Sequence, residues 1–482
     1  MNYKMILKVL GDVLLYESLI LIIPFIISIY YAQGDSNAFF ISISITLIFA
    51  IILRSIRFKQ KEIYAKEGFV IVGLAWIIIS IFGALPFFIS GAIPSFIDAF
   101  FETVSGFTTT GATILTEIES LPNGILFWRC FTHWIGGMGF LIFILAIVPT
   151  LGLNSIHLLR AESPGPSPGK IVPKISKTAK ILYIIYIILT IIQIILLKLS
   201  GFSLYDSVIH SLSTAGTGGF SNMNSSIAAF NNPTAEWIIT LFMILFGINF
   251  VFYFYLVKGQ LKSFFKSEEL RYYLIIIVTA IILITINIID FNKGNINDSL
   301  RQSSFQVASI ISTTGYATVD YNLWPTLSKI VILILMICGG MAGSTSGGVK
   351  IIRIVIVLKA IRREIDKILH PKRIKKVKVD GKIIEEETIS EVFLFIGAYI
   401  VIGLIGMLIV SFDGFDLITT STSILTTITN TGPGFEIVGP TGNFSVFSGL
   451  SKIVLSFCML AGRLELYPML ILFSKSIWKK TY

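Results

Sequence analysis

The sequence predicts an all-α polytopic membrane protein in which two N-terminal transmembrane helices precede four parallel copies of a span, a short re-entrant helix and a second span. Three observations predict it. The 482 residues are 54% hydrophobic and only 14% charged, with a mean hydropathy of +0.83, which excludes a string of soluble domains. Apolar runs close to the ~20 residues needed to cross a ~30 Å hydrocarbon core recur along the whole chain. Finally, four similar Ser/Thr-rich segments, each containing Thr-Gly, follow alternate spans.

Ten spans are expected near residues 12–33, 38–53, 68–90, 125–150, 181–199, 235–257, 273–290, 327–358, 389–411 and 447–474. The first follows Lys4 and Lys8, yet its apolar run exceeds the ~7–15 residues of a signal-peptide core and contains Glu17 and Pro24. It reads as a retained span. With the N-terminus inside, the inner segments are RSIRFKQKEIYAKE, Arg160 to Lys180, KGQLKSFFKSEELR, Lys359 to Glu387 and KSIWKKTY, all rich in Lys and Arg. On the opposite side, Gly91 to Gly124 and Phe412 to Phe447 contain no Lys or Arg but carry Asp98, Glu102, Glu117, Glu119, Asp413, Asp416 and Glu436. This asymmetry predicts both termini in the cytoplasm. It accounts for the net charge of +10 without nucleic acid. Acidic outer loops concentrate cations, although a solvated surface explains any single carboxylate equally well.

The repeats read SFIDAFFETVSGFTTTGATIL, SLYDSVIHSLSTAGTGGFSNM, SLRQSSFQVASIISTTGYATV and DLITTSTSILTTITNTGPGFEIV. Their dipeptides are Thr110-Gly111, Thr217-Gly218, Thr314-Gly315 and Thr431-Gly432. Two spans separate successive dipeptides, so all four lie on one face and the repeats are parallel, unlike the inverted repeats of many carriers. The division is 1–66 for the two extra helices, then 67–153, 154–258, 259–370 and 371–482 for repeats one to four. About 12 residues precede each turn, too few to cross a bilayer but enough for a helix that descends partway. Irregular backbone at that depth must be buried in protein or line water. Glycine permits backbone angles that turn carbonyl oxygens inward, threonine adds a hydroxyl, and a ring of such oxygens replaces a cation's hydration shell. The negative ends of the short helices favour a cation at the same place. A single Thr-Gly would be an ordinary turn; four on one face predict a central ion pore.

The eighth span holds Gly339, Gly340, Gly343, Gly347 and Gly348, with Ser344, Thr345 and Ser346 among them. At about 1 kcal/mol per glycine relative to alanine, this stretch breaks or softens a helix. A phosphate loop is excluded: Gly343 and Gly348 have its spacing, but Val349 stands where lysine is required and Lys350 comes one residue late. Close helix packing is the remaining alternative to a mid-membrane loop. Lys350 and Arg463 are charges within spans, where they are expensive; pairing of Arg463 with Glu465 or a loop carbonyl is a structural alternative to a pore role. Glu102, His210, Gln306 and Ser423 lie eight or nine residues before the four glycines. They hold the turns from behind or simply pack. Trp128, Arg129 and Trp134 are expected to be interfacial anchors. Cys130, Cys338 and Cys458 fall in apolar stretches without CxxC spacing, and His133, His157, His210 and His370 form no ligand cluster. No convergent acids or Ser/His pair suggests an enzyme.

GFTTTGAT, STAGTGGFSN, STTGYAT and TNTGPGF, together with GGMAGSTSGGVK and AGRLELYP, resemble the filter and loop signatures of the Trk/Ktr/HKT superfamily of potassium transporters. The resemblance covers nearly the whole chain, and the two extra N-terminal spans favour the Trk-type (TrkH-like) membrane subunit over the shorter Ktr-type. It implies potassium uptake across the bacterial cytoplasmic membrane, with K+ as the transported ion and no bound organic cofactor. It also implies one pathway per subunit, a homodimer, surrounding membrane lipid, and a cytosolic TrkA-like (RCK-type) nucleotide-binding regulatory partner. In similar proteins the stretch matching Gly339 to Lys350 is a gate beneath the filter, and an arginine at the position of Arg463 faces the pore. Glycine at all four filter positions, where relatives with a first-position serine often carry sodium, leans toward potassium. A Na+-dependent Ktr-type channel subunit and a K+/H+ or K+/Na+ symporter remain alternatives. The basic run His370 to Lys382 either docks the partner or lies near anionic lipid.

Overall fold

The computed structural model describes residues 1–56, 65–139, 175–260, 266–373 and 375–478. Parts of the expected inner segments, the 140–150 end of the fourth span, His157 and the boundary between repeats one and two lie outside the described residues.

Among the described residues, six helical stretches are long and apolar enough to cross a membrane: Tyr3–Tyr31, Ser36–Arg54, Lys66–Ile89, Ala179–Leu199, Glu268–Ile288 and Glu386–Asp413. They are the two N-terminal spans and the first span of each repeat. Their outward side chains are apolar, with Ile275, Ile286, Leu404 and Leu408 all more than half exposed, as expected where lipid is the solvent. The polar side chains are inside. Thr103, Ser213, Ser309 and Thr426, one on each short helix, are completely buried.

The N-terminal pair comprises α1 (Tyr3–Ile20) continuing into α2 (Ile22–Tyr31), and α3 (Ser36–Arg54). It packs on repeat one, formed by α4 (Ala65–Gly83), α5 (Leu85–Ile89), the short α6 (Phe96–Phe107) and α7 (Asn123–Gly137). Repeat two contains α8 (Ile175–Leu199), the short α9 (Leu204–Gly216), α10 (Pro233–Phe246) and α11 (Phe250–Val257). Repeat three contains α12 (Glu268–Ile288), the short α13 (Ile296–Ile311), α14 (Thr326–Cys338) and α15 (Ile351–Leu369). A two-stranded antiparallel hairpin, Lys378–Val379 with Lys382–Ile383, follows it. Repeat four contains α16 (Glu386–Val410), the short α17 (Leu417–Thr429), α18 (Gly449–Arg463) and α19 (Tyr467–Leu472).

The second span of each repeat differs from the continuous helix expected in three of the four. The predicted 235–257 span bends by 94° between α10 and α11. Gly247 and Asn249 cause this: the Asn249 side chain accepts from the Val251 N–H at 2.9 Å and starts a new helix, while the Gly247 carbonyl accepts from Met341 N–H at 3.0 Å. Both groups thereby leave the helix ladder satisfied. The predicted 447–474 span is interrupted where Glu465 and Leu466 take left-handed backbone (φ 56° and 67°), and Pro468 then opens α19. In repeat one, α7 ends at Gly137, and Gly139 has φ 86°. In repeat three the expected break is present, with residues 339–350 between α14 and α15. Thus the second span of every repeat is broken or ends short of its expected length.

Candidate ion-binding site

The four short helices are built alike. Ser95, Ser203 and Asn295 cap them by accepting from the N–H of Asp98, Asp206 and Asp298, and Asp416 accepts from Ile418 and Thr419. At the other end each chain makes the same turn. Thr109, Thr217, Thr313 and Asn430 adopt left-handed φ of 55°, 56°, 57° and 56°. The next residue donates its N–H to the carbonyl five positions earlier: Thr110 to Ser105 (2.9 Å), Gly218 to Ser213 (3.0 Å), Thr314 to Ser309 (2.8 Å) and Thr431 to Thr426 (2.9 Å). A glycine follows in every case, with φ of 80°, 80°, 81° and 93° at Gly111, Gly219, Gly315 and Gly432. Only glycine takes that conformation without strain.

The four turns close on one another. A Cβ on Gly111 would fall on the carbonyl oxygen of Gly218, one on Gly219 on that of Thr314, one on Gly315 on that of Thr431, and one on Gly432 on that of Thr110. Each glycine therefore abuts the carbonyl of the next quarter, and the fourth returns to the first. A cavity of about 80 Å³ is lined by all four glycines with Ser221, Asn224 and Pro433.

This geometry corrects the reading of the second repeat. Thr217 occupies the place of Thr109, Gly218 that of Thr110, and Gly219 that of Gly111; the Thr217-Gly218 dipeptide is one residue out of register. Measured to Gly219, His210 lies nine residues before its glycine, the same spacing as Glu102, Gln306 and Ser423. Aligning the polar helix residues, rather than the Thr-Gly pair, would have selected Gly219, the last glycine of GTGG. The hydroxyls also differ from expectation. Thr110 bonds Thr108 (2.7 Å), Thr314 bonds Ser312 (2.7 Å) and Thr431 bonds Thr429 (2.8 Å), so they tie each turn back to its helix.

The loop 339–350 lies against the ends of the third and fourth short helices. Gly347 N–H donates to the Thr313 hydroxyl at 2.7 Å and Gly348 N–H to the Thr429 carbonyl at 2.9 Å. Gly339, Gly343, Gly348 and Lys350 all have positive φ, between 67° and 79°. A Cβ on Gly340 would meet the Ser346 side chain, and the Ser344 hydroxyl donates to the Met341 carbonyl at 2.6 Å. Lys350 is buried and donates to the Ser346 carbonyl at 2.5 Å, folding the loop on itself. Arg463 reaches the same place from α18: its guanidinium donates to the Thr345 carbonyl (2.7 Å) and to the Gly136 and Gly137 carbonyls at the end of α7 (2.5 Å each). The carboxylate of Glu465 pairs with Arg353.

The sequence model of the TrkH cation transport proteins matches residues 35–480. The chain belongs to the TrkH family. The Trk system potassium uptake protein TrkH of Escherichia coli (strain K12) is 35% identical over 485 residues, with all of both chains covered. Trk system potassium uptake protein TrkI of Halomonas elongata is 31% identical, covering 98% of this chain and 97% of the relative. The crystal structure of the potassium transporter TrkH from Vibrio parahaemolyticus superposes with a TM-score of 0.89 at 31% identity, covering 99% of this chain and 100% of that one.

Within this TrkH-family chain, the residues behind the ring are only partly those the sequence indicated. Glu102 is fully buried, accepts from the Thr113 hydroxyl and the Ile114 N–H (both 2.9 Å), and is paired with Arg129 at 2.6 Å. Arg129 also donates to the Ser221 carbonyl at 2.8 Å. The expected interfacial-anchor role of Trp128 and Arg129 is therefore corrected: both are buried, and Trp128 donates to the Gly83 carbonyl at 2.9 Å. Trp134, half-buried, stacks on Tyr186 at 5.3 Å. His210 links the Asp206 carbonyl (2.8 Å) to the Ser221 hydroxyl (2.9 Å). Gln306 finds no hydrogen-bond partner among the described residues, and Ser423 bonds only the Thr420 carbonyl of its own helix. The support in those quarters comes instead from Ser309, which donates to the Tyr316 carbonyl at 2.7 Å, and Thr422, which accepts from Phe435 N–H at 3.2 Å. Asn430 joins quarter four to quarter one, donating to the Thr110 hydroxyl at 3.0 Å and the Met459 carbonyl at 2.9 Å. None of these three has a spacing signal in the sequence; Asn430 is visible only as the residue that replaces threonine in TNTG.

Proposed function

We propose that this chain takes up potassium across the bacterial cytoplasmic membrane, as the ion-conducting subunit of a Trk-type system. The observation that carries the reading is the closed ring in which Gly111, Gly219, Gly315 and Gly432 each abut the neighbouring quarter's carbonyl. Carbonyls of Thr110, Gly218, Thr314 and Thr431 replace the hydration shell of one K+, and no carboxylate is needed to do so. The four short helices end immediately before the ring, so the negative ends of their dipoles face the ion. Thr217, one residue earlier, shapes the second turn. The pathway runs through repeats 67–153, 154–258, 259–370 and 371–482, with 1–66 packed outside and both termini cytoplasmic.

The loop Gly339–Lys350 is the gate, and the geometry described above is its closed position. Arg463 holds it by bridging Thr345 to the end of α7, and its fixed charge raises the barrier to cations leaving the ring. Opening is controlled by a cytosolic nucleotide-binding partner on the inner face of a homodimer. The test is growth of a potassium-uptake-deficient bacterium on limiting K+, with the chain expressed alone and beside a TrkA-like partner. Rescue that depends on added K+ is expected; no rescue in either arm, with the protein present in the membrane, would overturn the assignment.

A further inference from the structure

The second quarter of the ring departs from the other three, and one side chain fills the difference. Elsewhere a hydroxyl pair braces the turn: Thr108 with Thr110, Ser312 with Thr314 and Thr429 with Thr431, at 2.7, 2.7 and 2.8 Å. The corresponding positions in the second quarter are Gly216 and Gly218. Neither has a positive φ, so backbone conformation does not require glycine there. Space does. A Cβ on Gly216 would land on the backbone carbonyl of His133, and one on Gly218 would lie inside the His133 imidazole.

His133 comes from α7 of the preceding repeat and is completely buried. Its Nδ1 lies 2.8 Å from the Gly106 carbonyl oxygen, an acceptor only, which assigns the proton to Nδ1. Its Nε2 has no hydrogen-bond partner among the described residues. The ring stacks on Phe220, the residue after Gly219, at 4.1 Å between centroids, and the Arg129 guanidinium contacts the same Phe220 ring at 3.6 Å. One rigid imidazole thus touches the last turn of the first short helix, the carbonyl-bearing Gly218 and the residue that follows the second filter glycine.

We propose that His133 braces the second filter quarter in place of the missing hydroxyl pair, and that as a positioning residue it sets the selectivity of the pathway between K+ and Na+. The proposal rests on the potassium-pathway reading. Gly218 has no side chain of its own to hold it, so the imidazole is what keeps its carbonyl at the radius of the other three. Without the ring, the backbone of one quarter relaxes into the space left behind, and the oxygen cage accommodates the smaller ion.

Wild type, His133→Ala, Gly218→Thr and the double variant are purified into liposomes, and K+ and Na+ fluxes are measured separately beside the yield of monodisperse protein. His133→Ala is expected to lower the K+-to-Na+ flux ratio by about tenfold, a change of one methylene-sized discrimination step, at normal yield. Gly218→Thr alone is expected to lose about tenfold or more in flux or yield, the usual result of overpacking. The double variant is expected to regain both, because threonine at 218 fits the backbone and occupies the vacated space. A His133→Ala flux ratio equal to wild type, or a double variant no better than Gly218→Thr, would overturn the proposal. A wild-type protein that carries no K+ would instead sink the pathway reading, while the yields of the three variants would still report the packing.

Discussion

Removal of Arg463 is expected to open the pathway, and the structure sets the size of the effect. Among the described residues the guanidinium bonds the carbonyls of Thr345 at 2.7 Å and of Gly136 and Gly137 at 2.5 Å. Only the first ties the loop; the other two anchor the arginine to α7. A hydrogen bond with a charged donor contributes about 1.5–3 kcal/mol, or about 10- to 150-fold in an equilibrium between closed and open loop. Other restraints on the loop survive the substitution, among them the bonds from Gly347 to the Thr313 hydroxyl, from Gly348 to the Thr429 carbonyl, from Met341 to the Gly247 carbonyl and from the Thr345 hydroxyl to the Phe246 carbonyl. The expected gain therefore sits at the low end, about tenfold. Arg463→Lys separates bonding from charge: it keeps the positive charge but cannot fork between Thr345 and the end of α7. The assay is K+ flux per reconstituted protein for wild type, Arg463→Ala and Arg463→Lys. A latch predicts that lysine behaves like alanine, and a purely electrostatic barrier predicts that it behaves like wild type. Unchanged or lower flux from intact Arg463→Ala protein would refute the latch.

Deleting residues 343–348 removes the loop's contacts with both short helices and is expected to raise flux in the same assay, with the ring intact. Gly219→Ala and Gly315→Ala each place a side chain at positive φ, costing about 1–2 kcal/mol in backbone strain, and push a Cβ onto the Thr314 or Thr431 carbonyl; growth on limiting K+ should fail for both. Glu102→Gln or Arg129→Met leaves a buried charge unpaired and should lower stability by about 3–5 kcal/mol, read as a drop in melting temperature in detergent, with the double variant costing less than the sum. In the Lys452–Asp98 pair at 2.7 Å the lysine is buried and the aspartate partly exposed; Asp98→Asn removes one charge-assisted hydrogen bond and is expected to cost less, about 1.5–3 kcal/mol, in the same measurement.

Membrane class and the break in the eighth span were legible because each rests on composition or on glycine density, which act locally, and the four short helices that end in like turns are consistent with the expected parallel repeat. Six long apolar helices correspond to expected spans for that reason. The bends after Phe246 and Arg463 were not legible. In IITLFMILF continuing through GINF a lone Gly247 and Asn249 are too sparse a signal to mark a break; the helix stops because Asn249 caps a new helix and the loop of repeat three takes up the Gly247 carbonyl, and that partner lies 94 residues away. The ring was located by its Thr-Gly pairs, but GTGG offered two registers; the left-handed turn at Thr217, the nine-residue spacing from His210 and the contact with Thr314 together select Gly219. Arg129 was misplaced for a related reason. Beside Trp128 it has the look of an interfacial anchor, and its partner Glu102 is 27 residues earlier, in a different helix. Long-range pairing, not local pattern, decided each of these positions.

The central claim is that the four turns form one potassium site. It is tested most directly by K+ flux into liposomes containing the purified chain under an imposed K+ gradient, comparing wild type with single serine substitutions at Gly111, Gly219, Gly315 and Gly432. The account predicts K+-driven flux in wild type and its loss, or loss of preference over Na+, from a change in any one quarter, with Gly219 and not Gly218 as the second-quarter equivalent. Wild-type flux that persists with unchanged selectivity in the Gly111, Gly219, Gly315 and Gly432 variants would contradict it.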